Sequence, residues 1–201
     1  SWLHAKREKC KMPLSFGNGG TGNYKPYVKY MASTSSWENR DGAVKLSKAV
    51  FDLAQIKTGW CLFTEGGAPE WVMDASLDAP AARPVGEGQW KRGFKVNIFS
   101  KSAFGDEEPV AEWATNGAGA TMGIQSLYGE YEAASADHAG QVPVVEFSGA
   151  VPTKVGKGST TIPTLKVVSW IDRPAELDDS ADSGASITPE TQPAASADDE
   201  F

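Results

Sequence analysis

Two stretches of this chain place aromatic side chains among lysines at even spacings, the spacing that lines residues up on one face of a β-strand. Tyr27 lies between Lys25 and Lys29, and Phe99 lies between Lys95 and Lys101. Trp90, Lys91 and Arg92 stand just ahead of the second stretch, and Lys45 and Lys48 flank a further strand-like region. Such faces suit single-stranded nucleic acid. Unpaired bases stack on aromatic rings at about 1–3 kcal/mol per base, and the phosphates need cations alongside. Lys154 and Lys157, in a glycine-containing segment, complete the candidate contact set. The competing reading makes the aromatics core and the lysines strand-edge protection. It is preferred for Phe94, Trp113, Tyr131 and Trp170, whereas exposure is preferred for Tyr27 and Phe99.

Other chemistries find little support. Gly156-Lys157-Gly158-Ser159 lacks both the upstream Gly and the Ser or Thr after Lys that a phosphate loop requires. The Gly17–Gly22 run follows no clear strand of a βαβ unit, which argues against a dinucleotide fingerprint. Cys10 and Cys61, with His4 and His138, have no zinc spacing, and two thiols make no disulfide framework. Nucleophile–base arrangements are equally poorly supplied. The residues read as a non-enzyme with no cofactor and no metal.

The 201 residues include 19 basic and 26 acidic side chains, a formal charge of -7. The excess lies in residues 176–201, which hold eight acids and no base. The remainder has 18 acids against 19 bases, about +1. Ten of the bases fall in the first 60 residues, against four acids there, the asymmetry expected of a polyanion binder. The acidic segment is rich in Ser, Ala, Thr and Pro, too poor in apolar groups to offset its ordering entropy, and is expected to be disordered. It closes on Asp198, Asp199, Glu200 and Phe201, which suits docking of the ring in an apolar slot and of the acids on a basic rim, the competing reading being a solubilising acidic tail that ends in Phe.

An acidic tip ending in Phe, after a polar tail and a strand-rich body, resembles the single-stranded DNA-binding proteins of bacteria and their phages. Glu200 stands where the common bacterial form has Pro, which favours a divergent phage-type member. The resemblance implies a protein that coats and protects single-stranded DNA during replication, recombination and repair. It also implies recruitment of a polymerase, a helicase–primase or a recombinase through the tip, in the cytoplasm of a bacterium or a phage-infected host. In that family the tip can fold back over the DNA groove, so the tail is expected to compete with DNA. Two rivals remain open: a phage structural or assembly protein whose Trp residues pack at subunit contacts, and a recombination mediator. A homo-oligomer is also left open. No apolar run approaches a membrane span, and no signal peptide is evident.

Residues 1–23 read as a basic arm and Gly-rich loop, 24–174 as one nucleic-acid-binding domain, and 175–201 as the acidic tail. Strands are expected over Tyr24–Ala32, over Val44–Phe63 with a break near Lys57-Thr58-Gly59, and over Gly93–Lys101, with Gly66–Gly88 a loop. From Val110 the apolar period turns helical through Trp113, Ala120, Ile124, Leu127 and Tyr131. Gly117, Gly119 and Gly123 confine the helix to the second half, from near Asn116. Val142–Ala150 and Thr164–Asp172 are closing strands around a Thr153–Pro163 loop. Strands, a helix, then a hairpin is the order of an OB-fold. Another small β-rich domain could have the same order; with the resemblance of the tail, the expected fold is mainly β with one helix, an OB-fold-like five-stranded barrel plus a disordered acidic C-terminal tail.

Overall fold

The long strand β7 (Lys91–Phe99) organises the sheet because its sequence alternates: Phe94, Val96 and Ile98 are buried on one face, with Lys95, Asn97 and Phe99 on the other. Both its edges are paired antiparallel. Strand β8 (Val110–Thr115) runs along one edge, and β4 (Lys48–Phe51) and β5 (Lys57–Leu62) share the other. This computed structural model describes residues 25–181. The N-terminal arm and Gly-rich loop, and the tip residues Asp198, Asp199, Glu200 and Phe201, lie outside the described residues.

The remaining elements are β1 (Lys29–Met31), β2 (Ser36–Asn39), β3 (Gly42–Val44), β6 (Glu70–Met73), α1 (Lys101–Phe104), α2 (Ala118–Ala134), β9 (Gln141–Val155), β10 (Gly158–Asp172) and α3 (Ala175–Ala181). The fold is mainly β, as expected, but with three helices among the described residues rather than one. Strands β1–β3 form their own small sheet, and the larger one runs β10-β9-β4-β7-β5-β6 with β8 on the far edge of β7. The larger sheet is open, which corrects the expected closed barrel. Strand β10 pairs only with β9 and is otherwise packed by α2, so no ladder joins it to β8. The chain ahead of β2 spans part of that gap. Tyr27 bridges to Glu112 on β8, and Thr161 on β10 donates a 2.7 Å hydrogen bond to the Ala32 carbonyl.

Several boundaries differ from the sequence reading for identifiable reasons. The break between β4 and β5 falls at a 3₁₀ turn, Leu53–Gln55, rather than at Lys57-Thr58-Gly59. There the fully buried Asp52 carboxylate accepts two 2.7 Å hydrogen bonds from Arg173, fixing the turn to the end of β10. The Val110–Thr115 segment is strand, not the start of a helical period. Val110 packs into one apolar cluster and Ala111 and Trp113 into another, so burial on both faces erases the alternation. The expected Thr153–Pro163 loop is strand too. Strands β9 and β10 meet in a two-residue turn, Gly156-Lys157, where Gly156 takes φ 58°, a conformation that suits Gly.

Helix α2 shows why glycines counted against it. A Cβ on Gly119 would stand 2.2 Å from the Thr161 carbonyl oxygen, and one on Gly123 would stand 2.7 Å from the Pro163 ring. The glycines let the helix press onto β10, which closes a core around Trp37, Phe51, Phe94, Trp113 and Leu127. Trp113 meets Trp37 and Phe94 at 4.8 Å in edge-on contacts. A second cluster forms on the other face of the sheet, where the fully buried Leu177 of α3 joins Val50, Val110 and Val142. Residues 175–181, assigned to the tail from composition, therefore begin as a helix bolted to the body. No helix among the described residues is long and apolar enough to cross a membrane.

Candidate nucleic-acid interface

The face of β7 turned away from the main core carries Lys91, Lys95 and Phe99. Across it on β5, Lys57 stands directly opposite Lys95, and Cys61 opposite Lys91. Strand β6 adds Trp71 opposite Cys61. Two glycines make this layer possible. A Cβ on Gly59 would strike the Val72 carbonyl at 2.6 Å, and one on Gly93 would meet the Trp71 ring at 3.1 Å. The Trp71 ring thus lies over Gly93, with the Lys95 ammonium 4.9 Å from its centre. Burial pushes the Cys61 thiol up to about 11, leaving it a neutral apolar group beneath this layer.

Lys57, Lys91 and Lys95 have no acidic partner at ion-pair distance among the described residues. Like charges directly opposite on paired strands destabilise a sheet. The Lys57–Lys95 pair therefore leaves positive charge uncompensated beside a half-buried indole. At the Lys91 end, a cavity of about 490 Å³ is lined by Phe63, Gln89, Lys91 and Asn116. Phe63 is 51% exposed there, unusually open for a large aromatic.

The expected contact residues divide. Lys91 and Lys95 fall on this face, and Trp90 adjoins it, half-buried. Arg92 points the other way. Both of its terminal nitrogens bond Asp74, whose carboxylate also accepts from Thr58 Oγ1 and the Ala81 amide. The Arg92 guanidinium, then its other hydrogen bonds, hold Asp74 well below the usual carboxylate range. This cluster pins the loop after β6 and seats Arg92 and Arg83 near the Trp60 ring, at 5.4 and 5.8 Å. Lys25 pairs with Glu112 at 3.0 Å, Lys48 with Glu146 at 3.7 Å, and Lys101 with Glu176 at 3.3 Å. Tyr27 is half-buried beneath Lys29, whose ammonium sits 5.0 Å from the ring centre. Phe99 is half-buried against the second cluster. Lys45 is exposed on the β3–β4 connection, and Lys154 and Lys157 are exposed at the tip of the β9–β10 hairpin, Lys157 in its turn.

Sequence reasoning missed Trp71, Phe63 and Lys57 as site residues. The Glu70–Met73 strand sits inside the Gly66–Gly88 stretch read as loop, though its Trp-Val-Met run was the available signal. No cluster of His, Cys, Asp and Glu among the described residues is arranged to hold a metal ion. Comparison with protein-family models, with curated proteins and with solved structures finds no match for this chain.

Proposed function

We propose that this chain is a non-enzymatic single-stranded DNA-binding protein, and that DNA lies along the β5–β6–β7 face. The observation that carries the reading is the uncompensated Lys57–Lys95 pair beside Trp71. A single strand offers what this layer lacks: phosphates for Lys57, Lys91 and Lys95, and unpaired bases for Trp71 and Phe63. Coating of DNA during replication and recombination, in a bacterial or phage-infected cytoplasm, follows from the tip's resemblance. So does recruitment of partner enzymes through Asp198, Asp199, Glu200 and Phe201.

The test is a titration with oligo(dT) followed by Trp emission. The intact protein should bind with a change in emission, more weakly as salt rises. Trp71→Leu keeps an apolar cover over Gly93 but loses the ring, and should weaken binding by about 1–3 kcal/mol. Unchanged affinity in that variant, or equally tight binding of duplex by the intact protein, would count against the reading.

A further inference from the structure

The cavity at the Lys91 end of the face departs in chemistry from the lysines along it. Part of its wall comes from the loop ahead of β7, which bends at Gly88. The φ of 115° there suits glycine, and its Cα lies against Leu62, since a Cβ would stand 2.8 Å from Leu62 Cδ1. With the backbone drawn onto Leu62, Glu87 and Gln89 line the same cavity as Phe63, Lys91 and Asn116. Asn116 Nδ2 donates to the Cys61 carbonyl at 3.3 Å, which fixes that wall to β5. Glu87, Gln89 and Lys91 have no side-chain hydrogen bond or ion pair among the described residues.

Glu87 is out of place on a track for phosphates, because a carboxylate there repels the backbone of a single strand. It has a use if the strand brings hydrogen-bond donors to it. We propose that the cavity takes one guanine base of the bound strand. Glu87 accepts from guanine N1–H and N2–H, Gln89 donates to O6, and the Phe63 ring stacks on the base. Lys91 stays with the adjoining phosphate. The proposal rests on the single-stranded DNA reading above and adds a base preference to it.

The donor pattern makes the choice. An ionised carboxylate only accepts, and its two oxygens match a pair of parallel donors. Guanine is the base whose Watson–Crick edge sets two donors side by side, next to a carbonyl. Adenine and cytosine would offer Glu87 a single amino group, and thymine would flank its one N–H with carbonyls. The cavity, about 490 Å³, falls in the range of about 300–1,000 Å³ usual for small-molecule sites, which admits one base. Preferences of single-strand binders otherwise come from stacking strength and backbone flexibility. A preference set by Glu87 is separable from those, because it depends on the amino group of the base.

Titration of the full chain with oligo(dT), and with the same oligomer carrying one central dG, tests this by Trp emission. The dG oligomer should bind about tenfold more tightly. Deoxyinosine in place of dG keeps the ring system and O6 but lacks the amino group, and should lose most of that gain. Glu87→Gln should bind the dG and dT oligomers alike. The readout is the ratio of the two affinities, so any general effect of removing a charge cancels. A ratio near one in the intact protein, with oligo(dT) bound, would overturn the guanine pocket and leave the DNA reading standing. A dG preference that survives deoxyinosine or Glu87→Gln would overturn the pocket too, since stacking on Phe63 would then suffice. No binding of any oligomer would overturn both readings.

Discussion

Trp71 reaches the outer face of β7 from two strands away, across Gly59 and Gly93, so alternation within β7 cannot reveal it. Alternation does predict which side chains share a face, and it places Lys95 on the face away from Phe94 and Val96, whereas Lys91, read as preceding the strand, joins that face only because β7 starts two residues earlier. What it cannot see is what the rest of the chain lays on that face. Phe99 looked as open as any strand aromatic until Leu177, nearly 80 residues on, came to rest beside it. Arg92 shows the same blindness, since its neighbours in sequence say nothing of Asp74. That pair makes a pH prediction. The Asp74 carboxylate is depressed below its unfolded value of about 3.9, so its contribution to stability is complete above that pH and is lost as pH falls toward the folded value. Melting curves of the intact protein and Asp74→Asn should therefore differ most near pH 6 and draw together progressively as pH falls below about 4. A gap of constant size across that range would show that the carboxylate is not the group that matters.

The pressed contact between α2 and β10 gives the element scale its sharpest test, because the sign of the effect is at stake. On an exposed helix, Gly→Ala stabilises by about 1 kcal/mol. At Gly119 the added methyl would stand 2.2 Å from a carbonyl of β10, so Gly119→Ala should instead destabilise by about 1–3 kcal/mol in urea unfolding. A gain in stability would mean that the helix is not held against the strand. Elements with one covered face were legible: β7 from its period, and α2 from the run Ala120, Ile124, Leu127 and Tyr131. Elements covered on both faces were not, and β8 is the example. The β9–β10 hairpin was split in the sequence reading because glycines near residue 156 suggested a long loop. The structure needs only two residues there, with Thr160, Thr161 and Ile162 continuing the strand. Helix α3 was hidden by composition. A window of acids and small residues conceals one Leu, and that Leu supplies the anchor.

Across the whole molecule, among the described residues, the bases divide into those with an acidic partner and those without, and Lys29, Lys45, Lys154, Lys157 and Lys166 are among the second group. Lys25, Lys48, Arg92, Lys101 and Arg173 each meet an acid. Lys57, Lys91 and Lys95, which share one face, meet none among the described residues. The formal charge of -7 therefore says little about the surface that would meet a polyanion. The central claim is that these three lysines hold phosphates, and salt dependence measures that directly. Each phosphate neutralised contributes about -0.7 to the slope of log K against log salt for single strands. Replacing Lys57, Lys91 and Lys95 together by Gln should make the oligo(dT) slope shallower by about 2, with the far-ultraviolet spectrum unchanged. A variant that stays folded and keeps the full slope would contradict the account, because the phosphates would then lie elsewhere on the protein.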